Sequence, residues 1–255
     1  MLALERRKEI LEKLMEEKRV VVSELSKKYA VSEETIRRDL EKLEQDGYAT
    51  KSYGGAILNE NVGFDMPLNV RSKRNVEAKQ QIASLAAELI HDGDHIMLDA
   101  SSTDLFLAKA LKQKKNLTVV TNSIEIILEF SEIPGWTVIS SGGNLREGYL
   151  ALTGAQAETA MQSYYVDKAF ISCKGMDRIR GIMDPVQEFA TMKQAILRSS
   201  AKKYLLVDHT KFGRGAFAKS AEITDVGAVI TDRKPERDWL DYFAGYGIEC
   251  IYPES

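Results

Sequence analysis

Ser32-Glu-Glu-Thr-Ile-Arg-Arg-Asp-Leu-Glu-Lys-Leu43 is the stretch whose reading decides the amino-terminal fold of this chain. Ile36, Leu40 and Leu43 recur at helical spacing and predict a helix from Glu33 to Gln45 with one buried stripe. Ser32 stands at the N-cap, where its hydroxyl accepts from a free backbone amide, and Gly47 is placed to end the helix. Glu34, Arg38 and Glu41 then point away from the stripe, with Thr35 and Arg37 beside them. Upstream, Ala30-Val31 is a tight break after a shorter helix expected from Glu24 to Tyr29, with Ser23 as its cap and Leu25 and Tyr29 on one side. Before that come the β-branched run Val20-Val21-Val22 and a helix over residues 4–17, carrying Leu4, Ile10, Leu11, Leu14 and Met15 at helical spacing. Downstream, Tyr48 to Ile57 reads as a β-hairpin bearing Lys51 and Tyr53.

Two short helices joined by a tight turn, on a supporting helix and followed by a hairpin, make a winged helix-turn-helix. The early turns of its second helix present Thr35, Arg37 and Arg38, the part of a recognition helix that meets base edges and phosphates in a major groove. Ser32, Lys42, Lys51 and Tyr53 complete the expected DNA-contacting set. A small helical domain that binds protein is the competing reading, because this segment holds about a dozen acidic and about a dozen basic residues. The whole chain, 255 residues with a net charge of −3, is unlike a protein that coats nucleic acid without specificity. A local cationic face remains compatible with that balance.

No apolar run approaches the length of a membrane span, and the charged start lacks the apolar block of a signal peptide, so a cytoplasmic protein with no membrane partner is expected. Cys173 and Cys250 each lie in a short apolar segment and read as buried, reduced thiols. His91, His95 and His209 are too scattered for a zinc signature, and neither metal nor cofactor is expected.

Residues 58–75, with Gly63, Phe64, Pro67 and Leu68, lack sustained periodicity and read as a linker between residues 1–57 and an α/β domain over residues 76–255. There, helices at residues 76–91, 103–111 and 123–130 alternate with strands at 96–99, 117–121 and 136–140. Further strands are expected at 169–173, 204–208, 229–231 and 248–252. Such alternation predicts a mainly parallel sheet covered by helices, with ligands beyond the carboxyl ends of its strands. Polar clusters fall at those ends: Asp99 with Ser101, Ser102 and Thr103; Asn122 and Ser123; Gly142 and Gly143; Lys174, Gly175 and Asp177; and Lys211. Each has a bland reading as a cap or turn. Together, cations, hydroxyls and carboxylates on one rim suit a phosphorylated polyhydroxy ligand.

The run from Val22 to Gly47, with its Ser32-x-x-Thr35-Ile-Arg-Arg-Asp-Leu40 core, and Tyr53-Gly-Gly-Ala56 after it, closely resemble the deoxyribonucleoside-repressor (DeoR) family of bacterial regulators. By that likeness Thr35, Arg37 and Arg38 contact DNA, while Asp39 caps or pairs with a neighbouring basic group rather than touching DNA. The second domain resembles the family's effector sensor through Asn75-x-x-x-Lys79, Leu98-Asp-x-Ser-Ser-Thr103, Thr121-Asn-Ser123, Gly142-Gly143, Lys174-Gly-x-Asp177 and Asp208-x-x-Lys-Phe-Gly213. Those sensors resemble ribose-5-phosphate isomerase, which implies sugar-phosphate recognition at the rim. One departure is Ser101 where the family usually writes glycine, a residue that permits positive φ.

Three functions compete at this point. The first is a repressor, dimeric or tetrameric on double-stranded operator DNA, in which a phosphorylated sugar alters the match between paired winged helices and the half-site spacing. The second is an isomerase carrying a DNA-binding module, with Asp177 or Glu188 as base and Lys174 or Lys193 as cation. In the bland alternative Glu188 and Lys193 are solvated helix positions and Asp177 is a ligand hydrogen-bonder. The third is a constitutive DNA-binding protein whose large domain only mediates assembly.

Overall fold

The computed structural model describes residues 2–45, 48–58, 68–146 and 148–254. The chain divides into two compact units, Met1–Met66 and Pro67–Ser255. Gly47, Gly63, Phe64 and Pro67, assigned above to a helix end and a linker, lie outside the described residues.

The first unit runs α1 (Ala3–Glu17), β1 (Arg19–Val21), α2 (Val22–Tyr29), α3 (Glu33–Gln45), β2 (Ala49–Ser52) and β3 (Gly55–Leu58). Its core is the stripe predicted from α3, Ile36, Leu40 and Leu43, packed with Ile10, Leu14, Val20 and Leu25, all nearly inaccessible to solvent. Ala30, at φ +52°, makes the break between α2 and α3. The expected cap at Ser23 is not found: α2 already starts at Val22, and Val21 precedes it in extended conformation with no side-chain cap. The reason is that Val21 is still paired with Gly55 across β1 and β3, so the helix begins at the strand's end and Ser23 falls in its first turn.

The Tyr53-Gly-Gly-Ala56 run acquires a physical role in this unit. Gly54 takes φ +80° at the turn between β2 and β3, a conformation that favours glycine. A Cβ on Gly55 would stand 2.0 Å from the Val20 carbonyl oxygen, so only glycine lets β3 approach β1.

The second unit begins with α4 (Leu68–Arg71), a helical turn anchored by the buried Leu68, inside what the sequence reads as linker. There follow α5 (Val76–Glu88), β4 (His95–Leu98), α6 (Ser102–Ala110), β5 (Thr118–Thr121), α7 (Ile124–Phe130) and β6 (Thr137–Ser140). The chain continues with β7 (Asn144–Arg146), β8 (Ala151–Thr153), α8 (Ala155–Gln162), β9 (Val166–Ile171), β10 (Gly175–Asp177) and β11 (Gly181–Asp184). It closes with α9 (Gln187–Arg198), β12 (Ser200–Leu206), β13 (Ala218–Ala221), β14 (Ala228–Ile230), α10 (Arg237–Gly245) and β15 (Glu249–Ile251). Helix α5 stops short of the expected His91, whose amide is taken by the Asp94 carboxylate at 2.7 Å.

Seven strands form a parallel sheet in the order β15-β14-β12-β9-β4-β5-β6. Side chains alternate between its faces with the period of two that strands impose. Ile96, Leu98 and Phe170 pack with Ile82, Leu105 and Ile126 of α5, α6 and α7. Met97, Ile171 and Leu205 pack on the other face with Met161, Ile196 and Phe243 of α8, α9 and α10. From β4 the chain steps outward to β6, then returns to the opposite flank of β4 through β9. That reversal makes the carboxyl ends of β4 and β9 the switch point of the sheet, the place where ligands of such folds sit. A hairpin, β7-β8, and an antiparallel sheet, β10-β11-β13, were not foreseen.

Candidate DNA-contacting face and ligand rim

On the first unit, the Ser32 hydroxyl accepts from the Thr35 amide at 3.2 Å and shares a 2.9 Å hydrogen bond with the Thr35 hydroxyl. The helix start is therefore locked with both hydroxyls outward. Arg37 and Arg38 are exposed, each paired one turn back, to Glu33 at 2.7 Å and Glu34 at 3.5 Å. Lys42 is also exposed. In the wing, Lys51 pairs with Glu41 at 2.8 Å and Tyr53 stands fully in solvent. Exposed pairs of this kind are worth little and are readily exchanged for a polyanion. Asp39 is different: its carboxylate is buried and accepts from the Arg6 guanidinium at 2.6 Å, fastening α3 to α1.

On the second unit, the switch point carries a dense ionic network. Asp99, just past β4, accepts from the Ser172 amide at 3.2 Å, just past β9. The Lys193 ammonium lies 3.3 Å from Asp99 and 2.9 Å from Asp184, which also accepts from the Ser220 hydroxyl at 2.6 Å. All four of these side chains are buried. Lys193 is thus no solvated helix position: against the cost of burial, the two flanking carboxylates push its pKa up and keep it charged. Asp104 is also fully buried, and burial followed by the neighbouring Asp99 charge drives its pKa well above the carboxylate range. The pKa of Asp99 is lowered instead, because Lys193 and the neighbouring Asp104 carboxyl outweigh burial.

Ser101 caps α6 at φ −100°, accepting from the Asp104 amide at 2.9 Å and donating to the Asp104 carboxyl at 2.6 Å. No positive φ is needed there, so serine in place of glycine leaves the loop unstrained. Ser102 and Thr103 are buried beside it, and the Thr103 hydroxyl is 3.5 Å from that of Ser172. Asn122 donates to the Leu152 carbonyl at 3.0 Å and Ser123 caps α7, both binding structure together. Gly143, at φ +103°, has no room for a Cβ, which would meet the Thr153 oxygen at 2.7 Å; Gly142 before it has φ +61°. Gly175 is similarly pressed against the Arg214 carbonyl.

Lys211 and Asp208 follow β12, 3.4 Å apart, and Asn75 reaches the same carboxylate. Lys211 and the Thr210 hydroxyl hold Asp208 down at about 2 against the opposing effect of burial. Lys79 of α5 adds a buried ammonium, which donates to the Arg71 carbonyl at 2.5 Å and to the Arg74 carbonyl. Burial, and then the charge of Lys211 close by, bring its pKa down to about 7. One of its three N–H groups remains for another acceptor. Burial, and after it the Asp184 charge, push the Cys173 thiol far up, out of reactive range. Cys250 is unpaired as well but only half-buried, not buried as expected.

Two expected rim residues stand at opposite ends of β10. Lys174, half-buried, gives its amide to the Met183 carbonyl at the base of the β10-β11 hairpin. Asp177 sits at the far tip of that hairpin, where its carboxylate accepts from the Ile179 and Arg180 amides at 3.0 and 2.9 Å. It is spent on the turn because β10 carries it away from the end of β9. Glu188 is exposed and paired with Arg146 at 2.7 Å. Sequence reasoning missed Asp104 and left Lys79 out of the ligand set. For the lysines the signal was present: Lys79 lies on the Ala78/Ile82/Ala83/Ala86 stripe of α5, and Lys193 on the Phe189/Ala190/Ile196/Leu197 stripe of α9. A charge on an apolar stripe must be paired or used.

Among the described residues no helix is long and apolar enough to cross a membrane, and no group of side chains is arranged to hold a metal ion. Residues 6–62 match the DeoR-like helix-turn-helix domain and residues 74–233 the DeoR C terminal sensor domain. The chain is 39% identical over 232 residues to the uncharacterized HTH-type transcriptional regulator YulB of Bacillus subtilis, covering 91% of this chain and 90% of that one. It is 34% identical over 246 residues to the HTH-type transcriptional repressor GlcR of the same organism, covering 96% and 95%. A ribose 5-phosphate isomerase from Methanocaldococcus jannaschii is similar at 16% identity and a TM-score of 0.39, over 52% of this chain and 53% of that one. The paired domain matches and the near full-length relatives lead to one conclusion: the chain belongs to the DeoR family of DNA-binding transcriptional regulators.

Proposed function

We propose that this regulator is a repressor of a sugar or polyol operon and that a phosphorylated sugar releases it from its operator. Ser32, Thr35, Arg37, Arg38, Lys42, Lys51 and Tyr53 form the DNA face on residues 1–57, joined through residues 58–75 to an effector sensor over residues 76–255. The observation that carries the ligand class is the grouping of Lys211, Lys79, Asp208 and Asn75 beyond the strand ends. The two ammonium groups suit a phosphate and the carboxylate and amide suit sugar hydroxyls. The hydroxyls of Ser101, Ser102 and Thr103, with Asp99 and the neighbouring Asn122, Ser123, Gly142, Gly143, Lys174 and Gly175, would line the remainder of that rim. Asp177 is left out of it.

The isomerase reading is weaker, since each base it needs is engaged elsewhere: Asp177 in a turn and Glu188 with Arg146. Lys193 is likewise held between Asp99 and Asp184. The protein acts as a homodimer or homotetramer in the cytoplasm and needs no cofactor in this reading. Ligand and DNA are coupled by linkage, and a tenfold loss of operator affinity takes only about 1.4 kcal/mol. Thermal stabilisation of the full chain by a panel of sugar phosphates tests the ligand class. A ligand at a hundred times its Kd adds about 2.7 kcal/mol, and no stabilisation by any of them would leave only an assembly role for the large unit.

A further inference from the structure

Beyond the lysine group, the second unit holds a second concentration of positive charge that the reading above does not use. Arg71 ends α4 and Arg146 ends β7, and their guanidinium carbons lie 5.6 and 5.5 Å from the centroid of the same ring, that of Tyr149. Arg146 is also 5.6 Å from the Phe189 ring, which meets Tyr149 edge-on at 5.2 Å. The aromatic platform fixes both guanidinium planes. Glu188 takes one nitrogen of Arg146, Nη1. Nε and Nη2 of Arg71 and Nε of Arg146 are buried and have no hydrogen-bond partner among the described residues. Leaving a buried donor unsatisfied forfeits its hydration with nothing in return, and the loss is greater when the group is charged. Three such donors around one ring are hard to explain as packing, because stacking on an aromatic face does not saturate an in-plane N–H.

We propose that Arg71 and Arg146 form a second anion subsite, so that the natural effector carries two acidic groups: a phosphate ester and, at its other end, a carboxylate or second phosphate. Guanidinium forks suit either acid because each presents parallel N–H groups to two oxygens. The spacing follows from Arg71 itself. Its backbone carbonyl accepts from the Lys79 ammonium, while its guanidinium lies against Tyr149. The two cationic groups are thus separated by about the length of one arginine side chain, a span that a sugar of a few carbons can bridge. This inference rests on the phosphate reading of Lys79 and Lys211.

The test is titration calorimetry on the full chain with three probes: fructose 6-phosphate, fructose 1,6-bisphosphate and 6-phosphogluconate. At least one two-acid probe is expected to bind about tenfold or more tightly than the monophosphate, the worth of one charge-assisted hydrogen bond. Which of the two wins distinguishes a second phosphate from a carboxylate. Arg146→Gln, and independently Arg71→Gln, should erase that advantage, whereas Lys211→Ala should weaken all three probes. Amide hydrogen exchange of each ligand-free variant identifies any that fails to fold, and the other variant then carries the comparison. Equal affinity for all three probes overturns the second subsite and leaves the phosphate reading standing. Binding of none of them removes both.

Discussion

Asp39 lies in the middle of the recognition helix, and the structure gives it a job other than touching DNA. Replacing it with alanine leaves the Arg6 guanidinium buried, at 8% exposure, without its acceptor. Arg7, at 4.0 Å and more exposed, loses little. Breaking a buried pair from one side costs about 3–5 kcal/mol. A unit of this length has about 3–10 kcal/mol in all at ordinary per-residue stability. The substitution should therefore remove most of the first unit's stability and lower its melting temperature by roughly 15–30 °C. Amide hydrogen exchange on the full chain, read separately for peptides of α1 and α3 and for peptides of β4 and β9, measures this without requiring one transition for both units. Protection should vanish in α1 and α3 while the parallel sheet keeps its own. The double substitution Arg6→Met with Asp39→Leu replaces the pair by apolar groups and should recover protection, since such exchanges are often neutral or stabilising by about 1–4 kcal/mol. It should also recover DNA binding. A double variant that is well folded yet bound no promoter fragment would refute the positioning role and make Asp39 a DNA contact.

Other consequences are tested more simply. Arg38→Ala breaks only an exposed pair with Glu34, so stability should change by less than about 0.5 kcal/mol while operator binding is lost. Filter binding at several salt concentrations should show the slope reduced by about 0.9 if the lost contact is a phosphate. Lys211→Ala should blunt ligand-induced stabilisation and leave DNA affinity intact; a normal response in the thermal assay would move the phosphate elsewhere. Lys79 keeps its proton below its pKa of about 7 and sheds it above, so affinity for a phosphate ester should fall as pH rises from about 7 to about 8.5. Calorimetry in two buffers of different ionisation enthalpy should detect proton uptake on binding at the upper end. A flat profile with no uptake would place Lys79 outside the binding step.

Much of this was legible before the structure. Helix α3 runs over the predicted Glu33–Gln45 because three strong signals coincide there, a serine cap, an apolar stripe and charged faces. The parallel sheet was legible because its strands are apolar runs between helices, and the polar residues that end them mark the rim. Sheet β10-β11-β13 was not, since Gly175–Asp177 and Ala218–Ala221 are too short to show alternation and owe their shape to tertiary pairing. The same blindness misplaced Asp177. Lys193 was misread for a different cause: its chemistry depends on Asp99 and Asp184, and on helix α9 alone a lysine looks like a solvated residue. Ser23 shows the limit of local rules, as a good capping residue yields when the preceding residue is held in a strand.

The most direct test of the account is fluorescence anisotropy of the full chain on a labelled promoter fragment taken from beside its own gene, titrated with phosphorylated sugars. Tight binding at low salt, followed by release with a tenfold or greater loss of affinity for at least one phosphorylated sugar and none for its unphosphorylated parent, is the predicted result. Binding that ignores every phosphorylated probe, or no binding to any promoter fragment, would contradict it.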